Sequence, residues 1–326
     1  MMVITVMIPT YRRVRDLDRC LQALKVQERQ ADEILVVVRN TDEETQLYLQ
    51  EADVTPSRLT RVIVDVPGQV AALNAGAKAS SGEVLAITDD DTAPRADWLR
   101  RIEEHFLADP RLGGLGGRDW VHQSGRTETG SRQVVGKIQW FGRVIGNHHL
   151  GAGSAREVDL LKGANMTYRR SAIRQLQFDS LLKGSGAQVY NDMDFSMAVK
   201  KAGWRLVYDP QVAIDHYPAQ RFDEDLRNSF NPLAGSNAVH NETYVLLKHL
   251  AAWQRLIFLL WAVCIGSSSS PGWLQWVRLV LKEGTLANRK WRAAAQGRRD
   301  GWRTWRAYCK RGDGAGTKSR TGEVSL

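Results

Sequence analysis

The segment Thr88-Asp89-Asp90-Asp91-Thr92 crowds three carboxylates onto the end of a short apolar run, Val84-Leu85-Ala86-Ile87. Three adjacent anions repel one another, so a partly buried trio needs a cation beside it. Hard oxygen donors of this kind suit Mg2+ or Mn2+, ions that in turn grip nucleotide phosphates. A strand that ends in carboxylates sets them at the carboxyl edge of a sheet, where open α/β folds bind ligands. Alone, such a string reads more readily as a solvated acidic turn, and the surrounding segments decide between the two. Further along, Asn191-Asp192-Met193-Asp194-Phe195 opens a helical pattern. There an aspartate can act as a base or cap the helix by accepting from its unpaired amides. His216 leaves a strand-like run and can ligate a metal or simply hydrogen-bond. His148 and His149 have no third ligand at a useful spacing, which argues against zinc.

The elements that must position these groups alternate. Val3 to Ile8 is an apolar β-rich run stopped by Pro9, and Leu17, Leu21 and Leu24 follow at helical spacing. Ile34 to Val38, a polar helix over Thr41 to Gln50, a strand over Leu59 to Val66 and a small-residue helix over Gln69 to Ala79 lead to the acidic strand. Strands alternating with helices predict a parallel, doubly wound α/β sheet. The middle is less regular: Gly113 to Gly117 and Gly146 to Gly153 read as loops. Beyond the helix opened by Asn191 and ended by Gly203, Trp204 to Tyr208 and Val212 to Ile214 read as two strands.

The 326 residues suffice for one large or two modest domains with a real core. The start, Met1-Met2-Val3-Ile4-Thr5-Val6, lacks the pattern of a signal peptide, and three scattered cysteines (Cys20, Cys264, Cys309) form neither a disulfide framework nor a metal cluster. A reducing cytoplasm is the compartment these features predict. The net charge of +9 is uneven: residues 278–320 hold 13 Lys or Arg against three acids, while residues 1–277 hold 32 of each sign.

The order and spacing of several blocks resemble a family 2 glycosyltransferase of the GT-A fold. They are VMIPTYRR at the start, NAGAKASSGEVLAITDDDTAP around residue 85, KGANMTYRR near residue 166, and NDMDFSMAVKKAGWRLVYDPQVAIDH over 191–216. The resemblance covers roughly residues 3–218 and implies a glycosyltransferase domain over 1–220, with a nucleotide-sugar half to about 110 and an acceptor half beyond. It implies that Asp89 and Asp91 are the outer positions of a DxD motif that holds Mg2+ or Mn2+ against the donor diphosphate, with Asp90 nearby. By the same resemblance Asp192 is the base, although Asn191 stands where Glu is usual, and His216 approaches the metal or diphosphate. Thr10, Tyr11, Arg12 and Asn74 are expected on the nucleotide. Gly163, Asn165, Arg169 and Asp194 are expected on the acceptor side, where an arginine suits a phosphate-bearing acceptor such as a lipid diphosphate or is merely a solvated face. One departure stands out: Val38-Arg39-Asn40 occupies the place where relatives carry an acid that reads the nucleobase. Either Asp42 moves in or the base is read differently.

Residues 221–326 read as a helical, basic, Trp-rich tail. Leu256 to Ile265 is apolar but too short to span a bilayer, and Trp interleaved with Arg is the pattern of an interfacial segment seeking anionic lipid. The expected function is an inverting, metal-dependent transfer from a nucleotide-sugar donor to a cell-surface glycan or lipid-linked acceptor, on the cytoplasmic face of a membrane and without nucleic acid. A sugar nucleotidyltransferase, or a non-catalytic glycan-binding protein on the same fold, is the alternative. The first would need a glycine-rich phosphate loop after the first strand, and Pro9-Thr10-Tyr11-Arg12 is not one.

Overall fold

The computed structural model describes residues 1–225 and 229–318, with side chains as far as Arg311. The last residues of the basic stretch, Ser319 and Arg320, lie outside it. The first part alternates as expected: β1 (Ile4–Thr10), α1 (Val14–Lys25), β2 (Glu33–Arg39), α2 (Glu43–Glu51), β3 (Arg58–Val64), α3 (Gln69–Ala79) and β4 (Val84–Thr88). After the aspartates come β5 (Thr92–Pro94), α4 (Trp98–Ala108) and the long β6 (Leu112–Gln123). Short strands β7 (Arg126–Thr127), β8 (Lys137–Ile138), β9 (Val144–Ile145) and β10 (Arg156–Glu157) lead to β11 (Asn165–Arg169). The single turn α5 (Arg170–Ile173), α6 (Asn191–Lys201) and β12 (Arg205–His216) follow, then α7 (Pro232–His249), α8 (Ala252–Cys264), α9 (Trp273–Glu283) and α10 (Thr285–Lys318).

One sheet organises the chain, with strands in the order β10-β12-β6-β11-β4-β1-β2-β3. The strands β3, β2, β1 and β4 run parallel, and β12 is parallel to β6. Only β11 runs against its neighbours β4 and β6 in the centre of the sheet. Both faces are covered, so successive side chains of one strand enter different cores. Val6 and Ile8 join α1 (Leu17, Leu21, Leu24) and α4 (Trp98, Ile102, Phe106) in one cluster. Met7, between them in sequence, joins Leu73 of α3, Phe195 of α6 and Tyr244 of α7 in the other.

Two elements differ from the sequence reading. The glycine tract 113–117 is not a loop but the buried first half of β6. Its glycines are there because neighbours leave no room: a Cβ on Gly117 would fall 1.6 Å from the Val212 carbonyl oxygen, and one on Gly113 would fall 2.4 Å from Trp204 Cβ. The two short strands expected after Trp204 are one strand, β12, whose register against β6 shifts between Asp209 and Ile214.

The C-terminal helices pack on the body. The long α10 lies along α7, and small residues set the spacing: a Cβ on Gly297 would come 2.5 Å from the Ser236 carbonyl oxygen, and one on Gly301 would come 2.6 Å from that of His240. Replacing Gly297 by valine is therefore expected to destabilise the protein by about 1–3 kcal/mol through overpacking, read as a lower midpoint in thermal unfolding. An unchanged midpoint would mean that the two helices do not meet this closely.

Candidate active site

The aspartates sit at the carboxyl edge of β4, and the turn that follows is held by threonines. The Thr88 and Thr92 hydroxyls are 2.7 Å apart, and that of Thr92 donates to the Asp89 carbonyl at 2.8 Å. Asp90 and Asp91 are 2% and 1% exposed, so their charges must be met locally. Arg13, just beyond β1, places Nη1 2.9 Å from Asp90 and 3.9 Å from Asp91, while the Thr10 hydroxyl donates to Asp90 at 2.8 Å. Burial pushes the Asp90 carboxyl above its ordinary range against the pull of Arg13.

Asp91 answers to a different partner. Antiparallel pairing of β5 with β12 sets His216 opposite Thr92, and this register brings the imidazole to the acidic turn. His216 Nε2 lies 3.3 Å from Asp91, and its Nδ1 lies 3.5 Å from Asp119 of β6. Asp119 in turn pairs with Lys162. Charges thus alternate along a row of neighbours that starts at the cleft wall: Asp91, His216, Asp119, Lys162. Burial works against the charged imidazole, yet the flanking carboxylates outweigh it and raise His216 to about 9. Burial likewise opposes the Asp91 and Asp119 anions, but His216, with the Ala219 amide at Asp91 and Lys162 at Asp119, holds both below the usual carboxylate range.

Further along the chain, α6 begins after Tyr190, which adopts a left-handed φ of 71°. Asp192 is not the residue that caps the helix. Its Oδ2 accepts from the Gly163 amide at 3.0 Å and its Oδ1 from the Met193 amide at 2.8 Å, and burial raises its pKa. Gly163 thus supports Asp192 through its backbone. Asn191 donates to the carbonyls of Ala187 and Gln188 and to the Gln69 side chain at 3.3 Å. An ionised glutamate could donate none of these bonds, which gives the Asn at this position a structural reason. Gln69 then donates to Asp89 at 3.4 Å, so one side-chain amide joins the acidic edge to the start of α6.

Beside the acidic edge lies a cleft of about 910 Å³, counted to its open mouth, lined by Thr10, Tyr11, Arg13, Arg39, Asp89 and Ser185 among others. Tyr11 stands edge-on to Phe222, and the Arg39 guanidinium lies 5.5 Å from its ring centre. Arg39 therefore faces the cleft where an acid was expected. Asp42 does not move in: it is buried, caps α2 through the Thr45 amide and accepts from the Arg12 amide. Arg12 itself contacts the Tyr11 ring through its guanidinium, 5.1 Å from the centre.

Residues 2–231 match the family described as glycosyltransferase like family 2. The chain belongs to that family. A glycosyltransferase, AglE of Haloferax volcanii, is 24% identical over 264 residues, which is 78% of this chain and 81% of that protein. An uncharacterized glycosyltransferase of Nostoc sp. is 29% identical over 39% of each chain. Among solved structures, the Pyrobaculum calidifontis mannosyltransferase PcManGT in complex with GDP-Man and Mn2+ aligns over 92% of this chain and 87% of its own, at 17% identity and a TM-score of 0.55. Staphylococcus aureus TarS residues 1–349 in complex with UDP-GlcNAc aligns over 94% and 91%, at 15% identity and a TM-score of 0.56. The fold is GT-A, and the protein is a glycosyltransferase rather than a nucleotidyltransferase.

Four expected site residues of this glycosyltransferase do other work. Because β11 is antiparallel to β4, its first residue faces the cleft edge and its last, Arg169, pairs with Val84 at the opposite edge. There Arg169 donates to the carbonyls of Leu112, Phe106 and Asp109 and is no acceptor contact. Asn165 is buried between the Trp98 indole and the Val212 carbonyl. Asp194 is buried against Lys248 and His249 of α7. Asn74 exchanges two hydrogen bonds with the Phe178 backbone and fixes that loop on α3. Conversely, Arg13, Gln69, Asp119 and Lys162 escaped the sequence reading. Arg13 had a local signal, a cation four residues past the first strand's proline, whereas Asp119 and Lys162 meet the site only through the sheet register.

Replacing Arg13 by methionine would leave Asp90 buried without its countercharge, at an expected loss of about 2–4 kcal/mol in denaturant unfolding. Adding Asp90→Asn should restore much of it, and strict additivity of the two would show that the pair is not coupled.

Proposed function

We propose that this glycosyltransferase moves a sugar, with inversion, from a nucleotide-sugar donor to a hydroxyl of a cell-surface glycan or lipid-linked acceptor. The observation that carries the reading is the Gln69 side chain, which lines the cleft beside Asp89 and also touches Asn191, the neighbour of Asp192 in sequence.

Among the described residues no three His, Cys, Asp or Glu side chains converge as a ready metal cage. The donor set nevertheless fits a hard divalent ion completed by ligand oxygens. Asp89 and Asp91 are carboxylates on the cleft wall, the kind of ligand Mg2+ and Mn2+ take alongside substrate phosphates. Asp89 and Asp91 would hold the ion, with His216 beside Asp91. When bound, it would neutralise charge on the departing diphosphate. PcManGT binds GDP-Man and Mn2+, and GalNAc-T7, aligned over 76% of this chain at 14% identity and a TM-score of 0.57, binds UDP and Mn2+.

On the protein's side, Asp192 would accept the acceptor hydroxyl proton as that oxygen bonds the anomeric carbon and the bond from that carbon to the diphosphate oxygen breaks. The raised Asp192 pKa suits a base, which must both hold and release a proton near neutrality. The Gly163 and Met193 amides fix its two oxygens, leaving their outer lone pairs for the incoming hydroxyl. Tyr11 and Arg39 form the wall on which the nucleobase would rest, and a guanidinium there offers donors to base carbonyl oxygens. The exposed apolar side chains of α8 and α9 favour an acceptor carried at a membrane.

A panel of nucleotide sugars with and without Mn2+, followed by nucleoside diphosphate release and glycan transfer, tests the proposal. Asp192→Asn should lower turnover by about 10²–10⁴-fold, and Asp91→Asn should weaken the Mn2+ dependence. Because the base must be ionised, the acid limb of the wild-type pH profile should fall above the ordinary carboxylate range, reflecting the raised Asp192 pKa. Wild-type turnover in both variants would overturn the assignment.

A further inference from the structure

Between Arg255 and Arg278 the chain carries no charged residue, from Leu256 to Val277. This stretch builds most of α8, a serine turn and the first half of α9. Both helices face the body with a narrow side. Phe258 and Ala262 of α8 and Leu279 of α9 are buried. Trp273 and Trp276 pack on Trp291 of α10, with ring centres 5.2 and 5.5 Å away. What remains outside is apolar. On α8, Trp253, Leu256, Leu260 and Val263 recur at helical spacing and are 58%, 61%, 57% and 48% exposed. On α9, Leu274, Val277 and Leu281 do the same at 65%, 54% and 87%. Two adjacent helices with exposed stripes of this size are not surface accidents.

We propose that these outer faces of α8 and α9 dock the protein on an anionic lipid surface, both helices lying in the plane of the headgroups. Three observations select lipid over a protein partner. The first is charge: Arg255, Arg278 and Lys282 flank the stripes, and residues 278–320 carry 13 cations against three acids. The second is the turn between the helices, most of whose amides are already bonded within it. The Gly266 amide donates to Trp261, the Ser267 amide to Ser270 and the Gly272 amide to Ile265. Such a turn can approach the acyl boundary with few amides to strand. The third is length. No helix among the described residues is long and apolar enough to cross a bilayer, yet each stripe is long enough to lie in one.

The attachment is independent of the sugar-transfer reading, and its test does not use activity. The full chain would be sedimented with phosphatidylcholine vesicles containing about a third phosphatidylglycerol and with phosphatidylcholine alone. Binding to the anionic vesicles is expected to be at least about tenfold stronger and to weaken as salt rises. Leu256→Glu with Leu260→Glu, or Leu274→Glu with Val277→Glu, should each cut it by about tenfold or more. Their thermal midpoints should not move, since the side chains are exposed. A dye on Cys264, an exposed thiol on α8 in a Cys309→Ser background, should shift to the blue with vesicles. The proposal is overturned if neither glutamate pair alters binding, if neutral vesicles bind equally, or if the chain binds no vesicle. A dimer in light scattering that the glutamate pairs convert to monomer, with no lipid binding, would assign the face to a second copy instead.

Discussion

The arrangement depends on holding two adjacent, buried carboxylates at one sheet edge without leaving their charges unmet. Asp90 and Asp91 are almost completely buried, and neither could stay there without a positive neighbour. The chain supplies different cations to each: Arg13 to Asp90, and His216, itself shared with Asp119, to Asp91. The effect is to separate two adjacent residues chemically. Asp90 is driven toward its protonated form and bonded by Thr10, while Asp91 is stabilised as an anion. One carboxylate then serves the structure and the other stays charged at the cleft. A cation arriving there would meet His216 as a rival and would favour the neutral imidazole, since like charges at that spacing repel.

The sheet's mixed direction decides which residues can take part. The parallel half ends its strands at one edge, which delivers Thr10, Arg39 and Asp89 to the same cleft. Inserting β11 in the opposite sense brings its beginning, with Lys162 and Gly163 just before it, to that edge and carries Arg169 to the far side. Pairing β5 with β12 then returns the chain to deliver His216. The glycines of β6 permit this crowding, because they let β12 pass where any side chain would collide.

These facts explain what was legible in the sequence. The places of Asp89, Asp91 and Asp192 in the fold were readable because each sits at the end of its own local element, a strand or a helix start, where position along the chain implies position in space. The parallel strands β1 to β4 were readable from their unbroken apolar runs. Arg169, Asn165, Asp194 and Asn74 misled because nearness in sequence to a motif was read as nearness to the cleft, and strand direction or helix face intervened. Asp119 and Lys162 were silent for the converse reason: Asp119 meets His216 about a hundred residues on and Lys162 meets Asp119 about forty residues back, joined only by register. The glycine tract was misread because the same residue serves turns and over-packed strands alike.

The helices beyond the matched family span are also tied to the site. Asn241 of α7 is fully buried, and its side chain accepts from the Lys183 amide at 2.8 Å and donates to the carbonyls of Lys183 and Val189 at 2.9 and 3.0 Å. It grips both ends of the loop whose middle, Ser185 to Ala187, forms a cleft wall and whose end, Tyr190, launches α6 and Asp192. Tyr190 holds a left-handed backbone that a tyrosine seldom adopts, and such a conformation persists only where its surroundings fix it. Those surroundings include Glu242, the next residue of α7, whose charge raises the Tyr190 hydroxyl. Desolvation raises the half-buried Glu242 carboxyl, and the Arg298 guanidinium of α10 draws it back toward ionisation while binding the Ser270 and Pro271 carbonyls of the α8–α9 turn. The basic, tryptophan-rich segment is thus in direct contact with the framework that positions Asp192 at the start of α6. Geometry at Asp192 therefore depends on packing more than a hundred residues further along the chain.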